Sequence, residues 1–172
     1  GWENVICYGM GSSLDDVKNA AAAEMNIVCS AAAIKAAEYL KEKFGTPYEI
    51  EYPQSCLPEE IVQKAYNFTD KNVLVIHNQT AADAVRKLIT EKSGKCHCTS
   101  ATFFMQKKEL LQQSDFFLAD ESDLCDNVGD NYDVVIADKT LRRVMKNFSG
   151  EFIDFPHFGL SGRLLQGESE KI

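Results

Sequence analysis

The chain has 172 residues, 45% hydrophobic and 26% charged, with a net charge of −8 from 18 basic and 26 acidic side chains. That size and balance suit an ordinary globular protein of one domain or two small lobes. The acidic surplus disfavours nucleic acid, whose phosphates need basic contacts. No basic run exceeds two residues, which argues against an anionic membrane surface. No apolar stretch approaches the roughly 20 residues of a spanning helix.

Gly1-Trp2-Glu3-Asn4 lacks the charged n-region and apolar core of a signal peptide, and the missing initiator Met suggests a piece cut from a longer chain. Val5–Tyr8 reads as a strand. Gly9 to Ser13 reads as a turn, with Ser13 and Asp16 at capping-box spacing ahead of a helix from Leu14 to about Glu24. A glycine turn between strand and helix can cradle an anion. Gly9-x-Gly11 has no third glycine, so a plain tight turn is the default.

Met25 to Pro47 is the stretch the chain turns on. Asn26–Val28 is an apolar run long enough only for a covered strand, and Ser30 can cap the helix that follows. Ala33, Ala37, Leu40 and Phe44 recur at three- and four-residue spacing and predict one apolar stripe. Gly45 can take the left-handed conformation that ends a helix, and Pro47 cannot continue one. Cys29 sits between strand and helix, where open α/β sheets place their ligands.

A strand at Tyr48–Tyr52 follows, then a loop, then a helix opened by Pro58 with Glu59 and Glu60 in its first turn. Thr69-Asp70-Lys71 is a polar break and a candidate boundary. Beyond it come a strand at Asn72–Ile76 and a helix at Thr80–Lys92 with Ala81, Ala84, Val85, Leu88 and Ile89 inward. Strands are predicted at Lys95–Phe103, Phe116–Ala119, Asp133–Ala137 and Glu151–Phe155, with helices at Lys107–Gln113, Ser122–Val128 and Thr140–Asn147. Such alternation argues for parallel sheets flanked by helices, an α/β fold of two Rossmann-like lobes.

Six cysteines are too few and too scattered for a disulfide framework, so a reducing cytoplasm and free thiols are expected. Cys96-His97-Cys98 resembles a metal clip, but on a strand its two thiols point to one face and its imidazole to the other. The acidic group Asp120, Glu121, Asp123 and Asp126 reads as capping plus a solvated face. His77 ends a strand where it could line a cleft, and Arg163 is read as solvated, with an anionic ligand as the alternative.

Asn-Ile-Val-Cys followed by a helix ending Glu-Tyr-Leu-Lys-Glu-Lys-Phe-Gly-Thr-Pro-Tyr resembles the middle domain of nitrogenase component 1-type oxidoreductases. Val73–His77, Phe116–Asp120, Tyr132–Ala137 and Phe152–His157 resemble successive strands of that family's C-terminal domain, in order. The resemblance implies a partial middle α/β domain over 1–69 and a C-terminal Rossmann-like domain over 70–172. It implies a full-length oxidoreductase that uses an iron–sulfur cluster or related metallocofactor for low-potential reduction. Its partners would be a homologous component 1 subunit and an ATP-driven iron–sulfur reductase. The isolated piece is expected to hold no cofactor or metal and to be inactive. The alternative is a non-catalytic scaffold or binding module for a metallocluster or tetrapyrrole.

Two residues carry the resemblance to a site. Cys29 falls on the position of the cysteine that ligates one end of the iron–molybdenum cofactor, and His157 occupies a place like that of the histidine at its other end. Ser30, Ala31 and Ala32 replace the aromatic and basic residues around that cysteine, which points to a divergent paralogue.

Overall fold

The computed structural model describes residues 3–9, 12–128 and 131–161. Strands alternate with helices throughout, in two parallel sheets. The smaller has two strands, β1 (Asn26–Val28) and β2 (Tyr48–Ile50), in register Val28 to Ile50. The larger has five. In chain order these are β3 (Asn72–Ile76), β4 (His97–Thr102), β5 (Phe116–Phe117), β6 (Val134–Ala137) and β7 (Glu151–Asp154), and their spatial order is β5-β4-β3-β6-β7. Every pairing is parallel. Numbered within the sheet this is 3-2-1-4-5, a doubly wound arrangement whose strand order reverses between β3 and β6.

The central strands form because they are apolar on both faces. Val73, Leu74, Val75 and all of Val134–Ala137 are fully buried, as a parallel sheet covered by helices requires. Helix α4 (Gln79–Ser93) covers one face. Asn78 caps it by accepting from the Ala81 N–H at 2.9 Å, and Gly94 closes it at φ +73°. Ala81, Ala84, Val85, Leu88 and Ile89 all face inward, as their spacing predicts. Leu57, Ile61, Ala65 and Phe68, from around helix α3 (Glu59–Lys64), share that core, with Pro58 at the N-cap of α3. Helix α5 (Glu121–Val128) and a 3₁₀ turn at Lys139–Arg143 cover the opposite face.

The smaller sheet has a thinner core. Its buried members are Val28, Ala31, Ile34 and Ala37, with Tyr48, Ile50 and Leu110 packed against them. Two strands with so little apolar cover are marginal alone, and Leu110, from the segment between β4 and β5, adds support from the larger unit. Helix α2 (Ile34–Phe44) ends at Gly45 in the left-handed conformation, φ +76°. Its buried stripe runs through Ala31, Ile34 and Ala37, with Leu40 half-buried. Ala33 and Phe44 are exposed, so the expected stripe holds at Ala37 and Leu40 and departs at its two ends. Ala33 falls in a 3₁₀ turn at Ala31–Ala33 that precedes α2, outside the α-helical periodicity.

Ser13 and Asp16 form the capping box their spacing predicts, at the start of α1 (Leu14–Lys18). The expected strand at Val5–Tyr8 is absent. That segment is exposed and has no strand beside it, and an apolar run without a partner has no ladder to join. Met10 and Gly11 of the glycine turn, and Arg163, lie outside the described residues.

Candidate functional site

The order reversal places the carboxyl ends of β3 and β6 at the crevice where doubly wound sheets bind ligands. His77 follows β3, Asp138 follows β6 and His157 follows β7.

Asp138 is fully buried and is the anchor of this edge. One carboxylate oxygen accepts from the backbone N–H and hydroxyl of Thr140, at 2.9 and 2.7 Å. The other accepts from the His157 N–H at 2.8 Å and from the Ser161 hydroxyl. Burial pushes the carboxyl pKa up, but these donors outweigh it, and the net shift is downward. The carboxylate therefore stays charged and ties the turn after β7 to the end of β6.

His77 is 5% exposed. Its ring stacks on Phe155 and meets the ring of Tyr52, with centroids 6.4 Å apart, and that of His157, 4.6 Å away. Its Nε2 lies 3.2 Å from the Pro156 carbonyl, which can only accept, so Nε2 carries the proton. Burial, and then the neighbouring His157, push its pKa down to about 3. Its Nδ1 is a buried lone pair with no partner among the described residues.

His157 stacks on Phe104, centroids 3.9 Å apart and planes 15° from parallel. The Phe104 N–H donates to the Thr102 hydroxyl at 3.0 Å, and further along the same loop Gln79, at the start of α4, clamps the Lys107 backbone through its side-chain amide, at 3.0 and 2.9 Å. His157 Nδ1 accepts from the Gly159 N–H at 3.0 Å, and its carbonyl accepts from Leu160 and Ser161. His157 thus caps the helical turn over 158–161. Burial lowers its pKa, so the ring is neutral with its proton on Nε2.

Cys29 lies at the carboxyl end of β1 and its thiol is exposed. Among the described residues the one partner of its sulfur is the Ile27 carbonyl at 3.9 Å, a weak contact. Its own carbonyl accepts from the Thr80 hydroxyl in the first turn of α4, so the end of the small sheet is fastened beside His77. The surrounding protein raises the thiol pKa by desolvation, and nearby Cys56, Cys7 and Glu51 raise it further. Tyr52 links the two halves. Its ring packs on His77 and Phe155, and the neighbouring Cys56 and Cys29 push its pKa up beyond the effect of burial.

An accessible thiol with so little else to bind fits a soft or borderline transition metal. The His157 ring does not fit as it stands, because Nδ1 is used by Gly159 and Nε2 bears a proton. Ligation through Nε2 would require that proton to move to Nδ1, against the Gly159 donor.

The remaining candidates have structural roles. Cys96 and Cys98 pack against the larger core while His97 is exposed, the alternation expected of strand residues. Asp120 accepts from the N–H groups of Ser122 and Asp123, and Asp123 from that of Ala119, which is local capping. Among the described residues no group of three or more His, Cys, Asp or Glu is arranged to hold a metal ion. None of their helices is long and apolar enough to cross a membrane.

Parallel strands in this order define a doubly wound, Rossmann-like α/β protein. Among solved structures, the chain is similar to one of nitrogenase Cp1 at pH 6.5. The match has 15% identity and a TM-score of 0.52, over 84% of this chain and 40% of that one. The fold is therefore nitrogenase-like, and the chain spans about 40% of the length of the nitrogenase chain it matches. No protein-family model matches the sequence, and no curated protein matches it either.

Proposed function

We propose that the chain is part of a nitrogenase component 1-type oxidoreductase, with a metallocofactor bound in the crevice between its two sheets. The supporting observation is Cys29, an exposed thiol at a strand's carboxyl end, pinned through its carbonyl to the first turn of α4. In this reading Cys29 supplies a thiolate ligand, and the metallocofactor supplies the low-potential redox chemistry. His77 stays neutral and keeps positive charge out of the crevice wall. Asp138 fixes the backbone from which His157 projects. In its present ring state His157 offers an Nε2–H donor, a hydrogen bond to the cofactor in place of a metal bond.

The full-length protein would work in the cytoplasm with a homologous subunit and an ATP-driven iron–sulfur reductase. The donor character of His157 favours a second reading, a scaffold or binding module that holds a metallocluster or tetrapyrrole without reducing a substrate.

Full-length protein purified without oxygen separates these readings. Bound iron and sulfide, lost in Cys29→Ser, are the result expected of the first reading and of a metallocluster scaffold, a bound tetrapyrrole absorbing in the visible is the result expected of a tetrapyrrole module, and reductase-dependent substrate turnover selects the first. Iron content near zero in the wild type, or unchanged in Cys29→Ser, would overturn the cofactor reading.

A further inference from the structure

The first turn of α4 holds three segments at once. Asn78, Gln79 and Thr80 are consecutive, and each side chain takes a different partner. Asn78 Oδ1 accepts from the Ala81 N–H of the helix itself at 2.9 Å. The Gln79 amide is bonded to the Lys107 backbone in the loop after β4. The Thr80 hydroxyl reaches the Cys29 carbonyl at the end of β1. Gln79 and Thr80 are both buried. A polar side chain so deeply placed needs a hydrogen-bond partner, and Thr80 finds its partner in the other sheet. Its hydroxyl has one proton and two acceptors near it, the Cys29 carbonyl and, at 2.8 Å, Asn78 Oδ1. Asn78 Oδ1 already accepts the Ala81 N–H, so the hydroxyl proton goes to Cys29.

We infer that Thr80 is the positioning residue of the Cys29 thiol. The sulfur has little to hold it directly, since among the described residues it meets only the Ile27 carbonyl, at 3.9 Å. The backbone must place it instead. The carbonyl of Cys29 and its side chain share one Cα, so a bond to the carbonyl fixes the peptide plane there and leaves χ1 as the freedom of the sulfur. The small sheet cannot supply this alone. Its strands are three residues long and its core is thin. Thr80 instead belongs to a helix of 15 residues whose inward face packs in the core of the larger sheet. Its branched Cβ restricts χ1, so the hydroxyl is aimed before the bond forms. Only the metal that the thiol would meet rests on the cofactor reading; its placement by Thr80 is a property of the chain alone.

Competitive labelling of the reduced chain with a small amount of iodoacetamide is the test. Peptide mapping gives the rate of Cys29 relative to Cys125, an exposed thiol on α5, from about pH 7 to about pH 10. Thr80→Val keeps the branched shape and removes the hydroxyl. It should release the end of β1 and raise the relative rate of Cys29 by at least about threefold, with its rise moved to lower pH as the sulfur gains water. Thr80→Ser keeps the donor and should restore the wild-type ratio and pH profile. Circular dichroism establishes that each variant is folded, and Cys98 should stay slow in all of them. An unchanged Cys29 ratio in Thr80→Val overturns the assignment, as does a Thr80→Ser ratio equal to that of Thr80→Val. A rise shared by Cys98 also overturns it, because Thr80 would then hold the fold at large. If Thr80→Val does not fold, proton NMR of the wild type decides. The Thr80 hydroxyl proton should exchange slowly and show a cross-peak to the Cys29 backbone, and its absence overturns the assignment. Full-length protein that holds no cofactor would remove the cofactor reading and leave the labelling result standing.

Discussion

His77 stacks face to face on Phe155, with ring centroids 3.9 Å apart and planes 19° from parallel. The stack joins the end of β3 to the residue after β7, across the point where strand order reverses. It buries an imidazole that must stay neutral, and that sets a pH dependence. The unfolded ring titrates near its ordinary value of about 6.5, while the folded ring titrates at about 3. Above the unfolded value both states are neutral and stability is full. Below it the unfolded chain takes up a proton that the folded ring refuses. Stability should then fall by up to roughly 1.4 kcal/mol per pH unit from this group. Urea unfolding from about pH 7.5 to about pH 5 measures it. The His77 ring proton resonances should stay at their neutral positions across that range. A ring that titrates near its ordinary value would refute the assignment.

Arg86 is the second buried charge that holds the larger unit together. It is 7% exposed, and its guanidinium spans Asp83 at 2.8 Å and Asp115, while Nε donates to the Cys98 carbonyl at 3.2 Å. Asp115 in turn accepts from the backbone N–H groups of Ser100 and Gln112. Removing the cation strands a buried carboxylate, so Arg86→Ala should cost about 3–5 kcal/mol. Arg86→Lys should recover only part of it, since an ammonium cannot fork between two carboxylates. Denaturant midpoints decide the matter, and a loss under about 1 kcal/mol for Arg86→Ala would mean that water already serves these groups.

Much of the fold was legible because it depends on local pattern. Tyr-Asp-Val-Val-Ile reads as a strand buried on both faces, and Val134–Ala137 is one. Ser13, Gly45 and the inward face of α4 were visible for the same reason, since caps and periodicity act within a few residues. The Asp138 anchor was not legible. Its partners Thr140, His157 and Ser161 come from two segments, and only the sheet order brings them together. An Asp at the end of a buried strand with Thr two residues on was the available signal, and it gives the turn without its partner. Val5–Tyr8 fails in the opposite way, with a strand-like pattern and no neighbouring strand. The place of Cys29 at the carboxyl end of β1 was legible from its position between strand and helix.

Gly159 tests how tightly the His157 turn is packed. A Cβ there would lie 2.9 Å from Phe104 Cε1 and 3.3 Å from His157 Cε1. Phe104 is flanked by its stack on His157, so the ring cannot swing away freely. Gly159→Ala should therefore destabilise the protein by about 1–3 kcal/mol, as overpacking does. The backbone at this position is not in the left-handed region, so the cost comes from the clash. A second substitution, Phe104→Leu, should relieve part of it by removing the ring. If Gly159→Ala is neutral alone, the Phe104–His157 stack is looser than the geometry requires.

The last prediction concerns the thiols, whose environments differ enough to be ranked. Cys7, Cys29, Cys56 and Cys125 are exposed, Cys96 and Cys98 are half-buried and all six are unpaired. Alkylation proceeds through the thiolate. Burial pushes the Cys98 thiol up to about 12. At about pH 8 Cys98 is then almost wholly protonated, so its reaction is slow. Brief iodoacetamide treatment of the native chain followed by peptide mapping should label the four exposed cysteines, Cys96 more slowly and Cys98 scarcely at all. Cys29 should react in spite of its raised pKa, because its sulfur is accessible and has no strong partner. Unfolding without reductant should then bring the total to six. A total of four or fewer in freshly purified protein would reveal a disulfide and contradict the reduced state. Cys98 labelled as fast as Cys56 would show that β4 opens on the timescale of the reaction, and that the core behind Arg86 is less firmly closed than its ion pairs require.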